Sequence, residues 1–248
     1  MTGRHIIISG GGTGVGAACA RSFAAAGETV TILGRTEATL AEQGLPYEVC
    51  DVTDAASLGR AVARATAARG PVSVALANAG AAQSVPFPKM TAGVLNDMMA
   101  VNLNGVVNLW QAVLPDMTSA RTGRTGRMIA IASTAGLKGY PYVSAYCAAK
   151  HAVIGLTRAL AKELAHTGIT VNAICPGFVE TPMLERSIDN IMEKTGMSAE
   201  DAAEVLKADN PQGRFVQPEE VADAAVWLAS DAAQSVNGHA LALTGGEI

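Results

Sequence analysis

Short apolar runs, many of them rich in β-branched residues, alternate with longer amphipathic stretches along the whole chain. The apolar runs predict seven strands, at residues 6–8, 30–33, 47–50, 72–77, 127–132, 170–175 and 241–244. The stretches between them predict helices at residues 17–26, just after Arg35, and at 57–69, 91–115, 143–165 and 218–229. Runs that are apolar at successive positions are typical of a parallel sheet covered on both faces. We therefore expect one α/β domain over residues 1–248 with a doubly wound, seven-stranded parallel sheet.

One segment, residues 178–215, interrupts this alternation because it contains apolar residues but no strand-like run. It follows the carboxyl end of the sixth predicted strand, which is where an open α/β sheet binds its ligand. We expect a small helical lid over the substrate, with Met183 and Leu184 facing the pocket.

Composition and charge exclude several classes of protein. The 248 residues are 49% hydrophobic and 16% charged, which is enough apolar surface for a sizeable core. The 18 Lys and Arg against 22 Asp and Glu give a net charge of −4, unfavourable for binding nucleic acid or an anionic membrane surface. The uncharged stretch 98–115 carries three asparagines and a glutamine, so we interpret it as a buried helix and not as a membrane span.

The cysteines and histidines suggest neither a metal site nor a disulfide framework. The four cysteines are scattered without a CxxC pair, at Cys19, Cys50, Cys147 and Cys175. This pattern fits a reducing, cytoplasmic environment. Three histidines, His5, His166 and His239, are isolated, and we expect them to lack functional partners.

Three arginines precede the fifth predicted strand. Arg121, Arg124 and Arg127 are separated by threonine and glycine, as a phosphate-binding loop would require. We favour the simpler interpretation that they lie in a solvated loop.

The first motif with chemical meaning is the sequence SGGGTGVG at residues 9–16, between the first strand and the first helix. Glycines at this junction allow a tight turn and let the backbone approach a pyrophosphate at the helix N-terminus. A Walker-type loop does not fit, because no Lys-Ser or Lys-Thr pair closes the run. The motif predicts a dinucleotide site formed by Gly10, Gly12, Thr13, Gly14, Val15 and Gly16.

The second motif places a tyrosine and a lysine on one helix face. Tyr146 and Lys150 are four residues apart, and an ammonium near a phenol lowers the pKa of the phenol toward the range of a general acid or base. Ser133 ends the fifth predicted strand thirteen residues earlier, so its hydroxyl can face the same cleft.

With these motifs in order, the sequence resembles the short-chain dehydrogenase/reductase superfamily over essentially its whole length. Residues 9–16 match the pattern TGxxxGxG with Ser9 in place of threonine, and residues 77–80 match NNAG with Ala77 in place of the first asparagine. The resemblance implies a Rossmann-type fold. It also implies further cofactor-binding residues at Asp51, Val52, Asn78, Ala79, Gly80, Pro176, Gly177, Val179 and Thr181, together with Tyr146 and Lys150.

The resemblance further implies a catalytic tetrad of Asn102, Ser133, Tyr146 and Lys150. In this family a hydride passes between the nicotinamide and a carbonyl carbon, and no metal is needed. Tyr146 would donate the proton, and Ser133 would orient the carbonyl oxygen. Lys150 would lower the pKa of Tyr146 and hold the ribose, while Asn102 would anchor a water that relays protons.

Residues 151–183 and 213–218 are similar to the ketoreductases of aromatic polyketide synthesis and to 3-oxoacyl thioester reductases. The resemblance implies reduction of a ketone, either a 3-oxoacyl thioester or a cyclic or aromatic carbonyl compound. We expect the substrate to contact Ser133, Tyr140, Tyr142, Tyr146, Met183 and Leu184. Two alternatives remain open: an NAD(H)-dependent alcohol or 3-hydroxyacyl-CoA dehydrogenase, and a non-catalytic dinucleotide-binding regulator.

The end of the second strand predicts the cofactor. NAD-selective members of the family place a carboxylate there to bind the 2′-hydroxyl of the adenosine ribose. This strand instead ends at Gly34 and is followed by Arg35 and Thr36, which suit a 2′-phosphate. We therefore expect NADP(H) to be preferred, with NAD(H) as a possible second cofactor. Apolar residues around much of helix 143–165 predict a homo-oligomer, most simply a homotetramer.

Overall fold

The computed structural model describes residues 3–119 and 126–248. Its strands are β1 (His5–Ser9), β2 (Thr29–Gly34), β3 (Tyr47–Val49), β4 (Val72–Ala77), β5 (Arg127–Ile131), β6 (Thr170–Pro176) and β7 (Ala240–Leu243). All seven predicted strands are confirmed, to within one residue at each end.

Helices connect the strands in the alternating order that the pattern predicts. They are α1 (Gly14–Ala25), α2 (Glu37–Ala41), α3 (Ala55–Arg69), α4 (Ala92–Met99), α5 (Gly105–Thr118), α6 (Ser144–Glu163), α7 (Pro182–Thr195), α8 (Ala199–Lys207) and α9 (Pro218–Ala229). Among the described residues, no helix is both long and apolar enough to span a membrane.

The strands form one parallel sheet in the order β3-β2-β1-β4-β5-β6-β7. The chain runs outward from β1 to β3 on one side and from β4 to β7 on the other. The order therefore reverses between β1 and β4, which opens a crevice at the carboxyl ends of these two strands. This arrangement confirms the predicted Rossmann-type doubly wound fold.

Two apolar cores cover the two faces of the sheet, as the side-chain alternation of a strand requires. In β1, Ile7 packs into the core beneath α3 and α5, which includes the fully buried Trp110. Its neighbours Ile6 and Ile8 point to the opposite core beneath α1 and α9. Because all three isoleucines are completely buried, β1 is fixed in register at the centre of the molecule.

The predicted helix at 91–115 is not one regular α-helix. It consists of α4 and α5 joined by a π-helical segment, Ala100–Asn104, and it continues to Thr118. A π-segment widens one turn and redirects the side chains on it, and such segments are frequent at functional sites. Asn102 lies in this segment and is completely buried.

The segment 178–215 contains α7 and α8, and a single parallel bridge joins Val179 to Val216. The helical excursion expected from the sequence is present, and its function as a lid remains a prediction. Leu184 is buried and Met183 is partly exposed.

Two expectations about basic side chains are wrong. Arg127 is not in a solvated loop; it begins β5, is 1% exposed and lies 3.9 Å from the carboxylate of Asp231. Arg121 and Arg124 lie outside the described residues. His5 is not isolated, because its ring nitrogens pair with the carbonyl oxygen of Gly70 at 2.8 Å and the hydroxyl of Thr31 at 2.9 Å.

Candidate active site

A cleft of about 470 Å³, open to solvent, lies where β1 and β4 end. Its walls come from the glycine loop, the ends of β2 and β3, and the loop after β4. The lining residues are Gly10, Gly34, Arg35, Cys50, Asp51, Val52, Ala79, Gly80 and Val101. Six of these nine, all except Gly34, Cys50 and Val101, belong to the cofactor site predicted from the sequence.

Hydrogen bonds between the loops after β1 and β4 fix the floor of this cleft. The Ser9 hydroxyl accepts from the backbone N–H groups of Asn78 and Ala79, both at 3.1 Å. The Asn78 amide nitrogen in turn donates to the carbonyl oxygens of Ser9 at 3.1 Å and Gly10 at 3.0 Å. Ser9 therefore supplies the hydroxyl that the threonine of the family pattern would supply.

The glycine loop leaves no room for side chains. A Cβ atom on Gly16 would lie 2.1 Å from the carbonyl oxygen of Gly10, and one on Gly10, where φ is +66°, would lie 2.9 Å from Cα of Ala79. The first helix, α1, begins beyond this loop at Gly14. Its N-cap residue Thr13 makes no side-chain capping bond, and no acidic residue lies in the first turn. The N–H groups of this turn are therefore available for an anion, which favours a pyrophosphate.

The ends of β2 and β3 form the part of the cleft expected to hold the adenosine. Arg35 and Thr36 are both exposed. Asp51 accepts from the backbone N–H of Thr53 at 2.9 Å and from its hydroxyl at 2.8 Å, which keeps the pKa of Asp51 below its usual value. The carboxylate of Glu37 is engaged elsewhere, because it accepts from the Tyr47 hydroxyl at 3.1 Å.

Three of the four predicted catalytic residues meet at the carboxyl end of β5. Ser133 directly follows the buried end of that strand and begins a short 3-10 turn, whose Ala135 N–H donates to its hydroxyl at 3.1 Å. Tyr146 and Lys150 project from α6, and the lysine Nζ lies 5.6 Å from the centre of the tyrosine ring. Lys150 is 4% exposed, and its ammonium donates to the carbonyl oxygen of Ile131 at 2.8 Å.

Burial dominates the electrostatics of this group. It raises the pKa of Tyr146 to about 12, and the Ser133 hydroxyl that faces the phenol offsets part of the rise. Burial also lowers the pKa of Lys150 to about 8. The net shift of the Tyr146 pKa is therefore upward and not downward as expected, because burial is the largest contribution and the Lys150 ammonium donates to the carbonyl oxygen of Ile131. The phenol keeps its proton at neutral pH and is suited to donate it.

The side chain of the fourth residue, Asn102, bonds to backbone groups at two positions in the chain. Its amide group donates to the carbonyl oxygens of Ala81 at 2.8 Å and Met98 at 3.0 Å, and its oxygen accepts from the Ala81 N–H at 3.3 Å. Both amide hydrogens are thus occupied by the backbone. Asn102 clamps the loop that follows β4, and its role in a water relay remains a prediction.

Gly80 shows how closely this loop approaches the catalytic group. A Cβ atom on Gly80 would lie 2.8 Å from Oδ1 of Asn102 and 3.7 Å from Nζ of Lys150. The loop after β4 therefore connects the cleft to Lys150.

The loop after β6 closes the other side of the cleft. The Gly177 N–H donates to the carbonyl oxygen of Leu243 at 3.0 Å, which continues the pairing of β6 with β7 beyond Pro176. The Thr181 hydroxyl donates to the carbonyl oxygen of Val179 at 3.1 Å. A Cβ atom on Gly14 would lie 3.2 Å from Cγ2 of Thr181, so this loop contacts the glycine loop.

The predicted substrate residues differ in their environments. Tyr142 is 64% exposed and has a φ of +66°, an unusual conformation for a residue with a side chain. Tyr140 is partly buried, and its hydroxyl lies 2.7 Å from Oγ1 of Thr134 and 2.5 Å from Oε1 of Glu247. No sequence pattern points to Glu247, because no spacing rule connects a residue after β7 to the segment before α6.

These observations fit a bound nicotinamide dinucleotide. The uncapped helix N-terminus, the side-chain-free glycine loop and a cleft that leads to Lys150 match its phosphates and its two nucleosides. Within residues 3–119 and 126–248, no group of three or more His, Cys, Asp or Glu side chains is arranged to hold a metal ion.

Comparison with known proteins agrees with this assignment. A family model described as enoyl-(acyl carrier protein) reductase matches residues 10–247. The chain is 39% identical to a putative ketoacyl reductase of the monensin polyketide synthase from Streptomyces virginiae, over 99% of this chain and 97% of that protein. It is 36% identical to a 2,5-dichloro-2,5-cyclohexadiene-1,4-diol dehydrogenase from Sphingobium indicum, over 99% and 97%.

A solved structure resembles the whole molecule. A variant of the actinorhodin polyketide ketoreductase, crystallised with NADPH, superposes with a TM-score of 0.93 at 35% identity, covering 99% of this chain and 97% of the other. Similarity of this extent, in sequence and in fold, shows that the chain belongs to the short-chain dehydrogenase/reductase family of NAD(P)-binding oxidoreductases.

Proposed function

We propose that this protein is an NADP(H)-dependent ketoreductase that converts a 3-oxoacyl thioester or a cyclic, polyketide-like ketone into a secondary alcohol. The observation that carries the proposal is the grouping of Ser133, Tyr146 and Lys150 beside the nucleotide cleft. The substrate class is supported by the ketoacyl reductase and polyketide ketoreductase among the similar proteins.

In this mechanism the protein's residues position the carbonyl and supply a proton. A bound nicotinamide would supply the hydride to the carbonyl carbon. The Ser133 hydroxyl orients the carbonyl oxygen next to the phenol, and Tyr146 donates its proton to the oxygen as negative charge develops there. The ammonium of Lys150 stabilises the tyrosinate that remains after the transfer.

The raised pKa of Tyr146 determines which form of the phenol is present at neutral pH. With a pKa of about 12 the phenol is protonated at neutral pH and ready to act as an acid. Oxidation of an alcohol would first require the tyrosinate, which is scarce under the same conditions.

The test is a reductase assay with NADPH and a panel of ketones that contains cyclic ketones and 3-oxoacyl thioesters. We expect turnover by the wild-type protein and a loss of about 10³-fold in kcat for Tyr146→Phe, with NADPH binding retained. Tyr47→Phe, which removes a tyrosine hydroxyl on β3, should keep its kcat. A fully active Tyr146→Phe variant, or a wild type that reduces none of the ketones, would contradict the proposal.

A second candidate is an NAD(H)-dependent dehydrogenase that oxidises an alcohol. It is favoured by the similarity to the cyclohexadiene-diol dehydrogenase. The same assay run in reverse, with NAD⁺ and cyclic diols or 3-hydroxyacyl thioesters at pH 7, discriminates between them. A non-catalytic regulator would bind the dinucleotide and turn over none of these compounds.

Preference for NADP(H) is supported by the charge at the end of β2. The two exposed side chains there, Arg35 and Thr36, carry no negative charge, and Glu37 is engaged with Tyr47. A guanidinium binds a 2′-phosphate through charge-assisted bonds.

We also propose a homotetramer in the cytoplasm. On the outer face of α6, Ala148, Gly155 and Ala159 are exposed, and no atom lies within 4 Å of a Cβ placed on Gly155. Such a flat surface allows close packing of a second helix. Light scattering tests this assembly, and a single species of 25.3 kDa would contradict it.

A further inference from the structure

Three separate segments of the chain meet at one buried carboxylate. Glu247 follows β7, and its side chain is only 4% exposed. Its Oε1 lies 2.5 Å from Nζ of Lys138 and 2.5 Å from the hydroxyl of Tyr140. Both partners belong to the segment between Ser133 and Tyr146. A carboxylate removed from water to this extent requires such partners, and charge-assisted bonds to it are strong.

The chemistry of the groups fixes the direction of these hydrogen bonds. The Tyr140 hydroxyl lies close to both Glu247 and Thr134, but a phenol has only one hydrogen. Because a carboxylate can only accept, Tyr140 donates to Glu247, and the Thr134 hydroxyl donates to the oxygen of Tyr140. Thr134 directly follows Ser133, so a chain of bonds runs from Glu247 to the residue next to the catalytic serine.

The same group contacts the loop after β6. The ring of Tyr140 packs edge-on against Phe178, with centroids 6.2 Å apart and planes at 76°. Oε2 of Glu247 lies 3.4 Å from the position of a Cβ on Gly177. Tyr140 is therefore held between the Ser133 turn and the loop assigned to the nicotinamide end of the cofactor.

Residues near the end of the 178–215 segment pack against Lys138 and against the chain after β7. Lys138 Nζ lies 3.9 Å from Oδ1 of Asp209, just after α8. A Cβ on Gly245 would lie 2.0 Å from Oδ1 of Asn210, so the residues after β7 run directly against this turn. One side-chain group thus connects the Ser133 segment, the cofactor loop and the predicted lid.

We propose that Glu247 is a positioning residue for the ketone substrate, acting by holding Tyr140 as a wall of the pocket beside Ser133. The inference rests on the proposed function and deepens it. Since the Tyr140 hydroxyl is committed to Glu247, this side chain offers the substrate its ring and not a hydrogen bond. The pocket therefore selects ketones with an apolar ring or chain next to the carbonyl.

The test compares the KM of a bicyclic ketone with the affinity for NADPH, measured by the fluorescence of the bound cofactor. Glu247→Ala should raise the ketone KM about tenfold, the effect of losing a hydrogen bond to a charged group. Its kcat and its Kd for NADPH should stay within about twofold of wild type. Glu247→Gln, whose amide oxygen still accepts from Tyr140, should recover most of the KM. Glu219→Ala, which removes an exposed carboxylate of α9, serves as the control.

A double variant tests whether Glu247 acts through Tyr140. The ketone KM of Tyr140→Phe/Glu247→Ala should be no higher than that of Glu247→Ala, because both changes break the same bond. Fully additive effects would overturn the inference. An unchanged KM in Glu247→Ala would do so as well, and so would a parallel loss of NADPH affinity, kcat and melting temperature.

Two outcomes keep the experiment decisive. If Glu247→Ala does not fold, Tyr140→Phe carries the comparison, and a ketone KM within twofold of wild type in that variant overturns the inference. A wild-type protein that binds NADPH but reduces no ketone overturns the proposed function, and this inference with it. An active wild type with an insensitive Glu247 overturns only the positioning role.

Discussion

The ammonium nitrogen of Lys150 lies 5.6 Å from the centre of the Tyr146 ring, and burial moves their two pKa values apart. The pKa of Lys150 falls to about 8 while that of Tyr146 rises to about 12. Over the range between these values, the lysine loses its charge while the tyrosine keeps its proton.

The rate of ketone reduction should therefore decrease as the pH rises through about 8. Below that pH, Lys150 is charged and stabilises the tyrosinate formed by proton transfer; above it, this stabilisation is lost. The measurement is the initial-rate kcat/KM from pH 6 to pH 10 at constant ionic strength. A profile that is flat to pH 10 would show that the titration of Lys150 does not control the reaction.

Lys150 should also reduce the stability of the protein at neutral pH. Its pKa is lower in the folded chain than its ordinary value of 10.5, so between about 8 and 10.5 the unfolded chain binds more protons. The free energy of unfolding consequently rises with pH across this range. Such a shift corresponds to a loss of about 3 kcal/mol of stability at pH 7. A variant without the amine regains this stability but loses the bond to Ile131, which contributes about 1 kcal/mol.

Lys150→Met should therefore be inactive but more stable than wild type by about 1–2 kcal/mol at pH 7. This advantage should be lost above pH 10.5, where Lys150 is neutral in both states and only the missing bond to Ile131 remains. Denaturant unfolding at the two pH values measures it. Lys162→Met, at an exposed position on the same helix, is the control and should change the stability little. A less stable Lys150→Met at pH 7 would contradict the destabilising role.

The fold could be predicted from the sequence because the strands are apolar at successive positions. Ile6, Ile7 and Ile8 point alternately to two different cores, so the strand is apolar on both faces at these positions. The π-segment at Ala100–Asn104 could not be predicted from the hydrophobic pattern, and neither could the bonds of the Asn102 side chain to the backbone of Ala81, 21 residues earlier in the chain.

The residues of the candidate site could be predicted from the sequence, but the pKa shifts of those residues could not. The motif spacing identifies Tyr146 and Lys150, yet the direction of each pKa shift depends on burial and on the position of the Ile131 carbonyl. The position of Glu247 depends on how the chain after β7 folds back onto Lys138 and Tyr140. No local pattern records such a contact.

Asn78→Ala should weaken both the fold and the binding of the cofactor. The change removes the two bonds that hold the carbonyl groups of Ser9 and Gly10, at the centre of the glycine loop. We expect a loss of stability of about 1–3 kcal/mol, as for other buried groups left without partners. The Kd for NADPH, measured by fluorescence titration, should rise even at a temperature well below the melting temperature of the variant, where the protein is folded. The control is Asn104→Ala at an exposed position, and equal effects in both variants would contradict the role of Asn78.

Arg35→Ala should change the choice of cofactor without changing the chemistry. The exposed guanidinium follows the end of β2 and lines the cleft, where a 2′-phosphate would lie in the family arrangement. Because only NADPH carries that phosphate, the variant should raise the KM for NADPH about tenfold or more and leave the KM for NADH within about twofold.

Steady-state kinetics with both cofactors measures the ratio of the two KM values. The control is Arg60→Ala, at an exposed position on α3, which separates a local contact from a general loss of positive charge. Raising the salt concentration should weaken NADPH binding in the wild type more than in Arg35→Ala, since screening acts on the ion pair. A wild type that prefers NADH, or a variant in which both KM values rise equally, would assign the selection of cofactor to another residue.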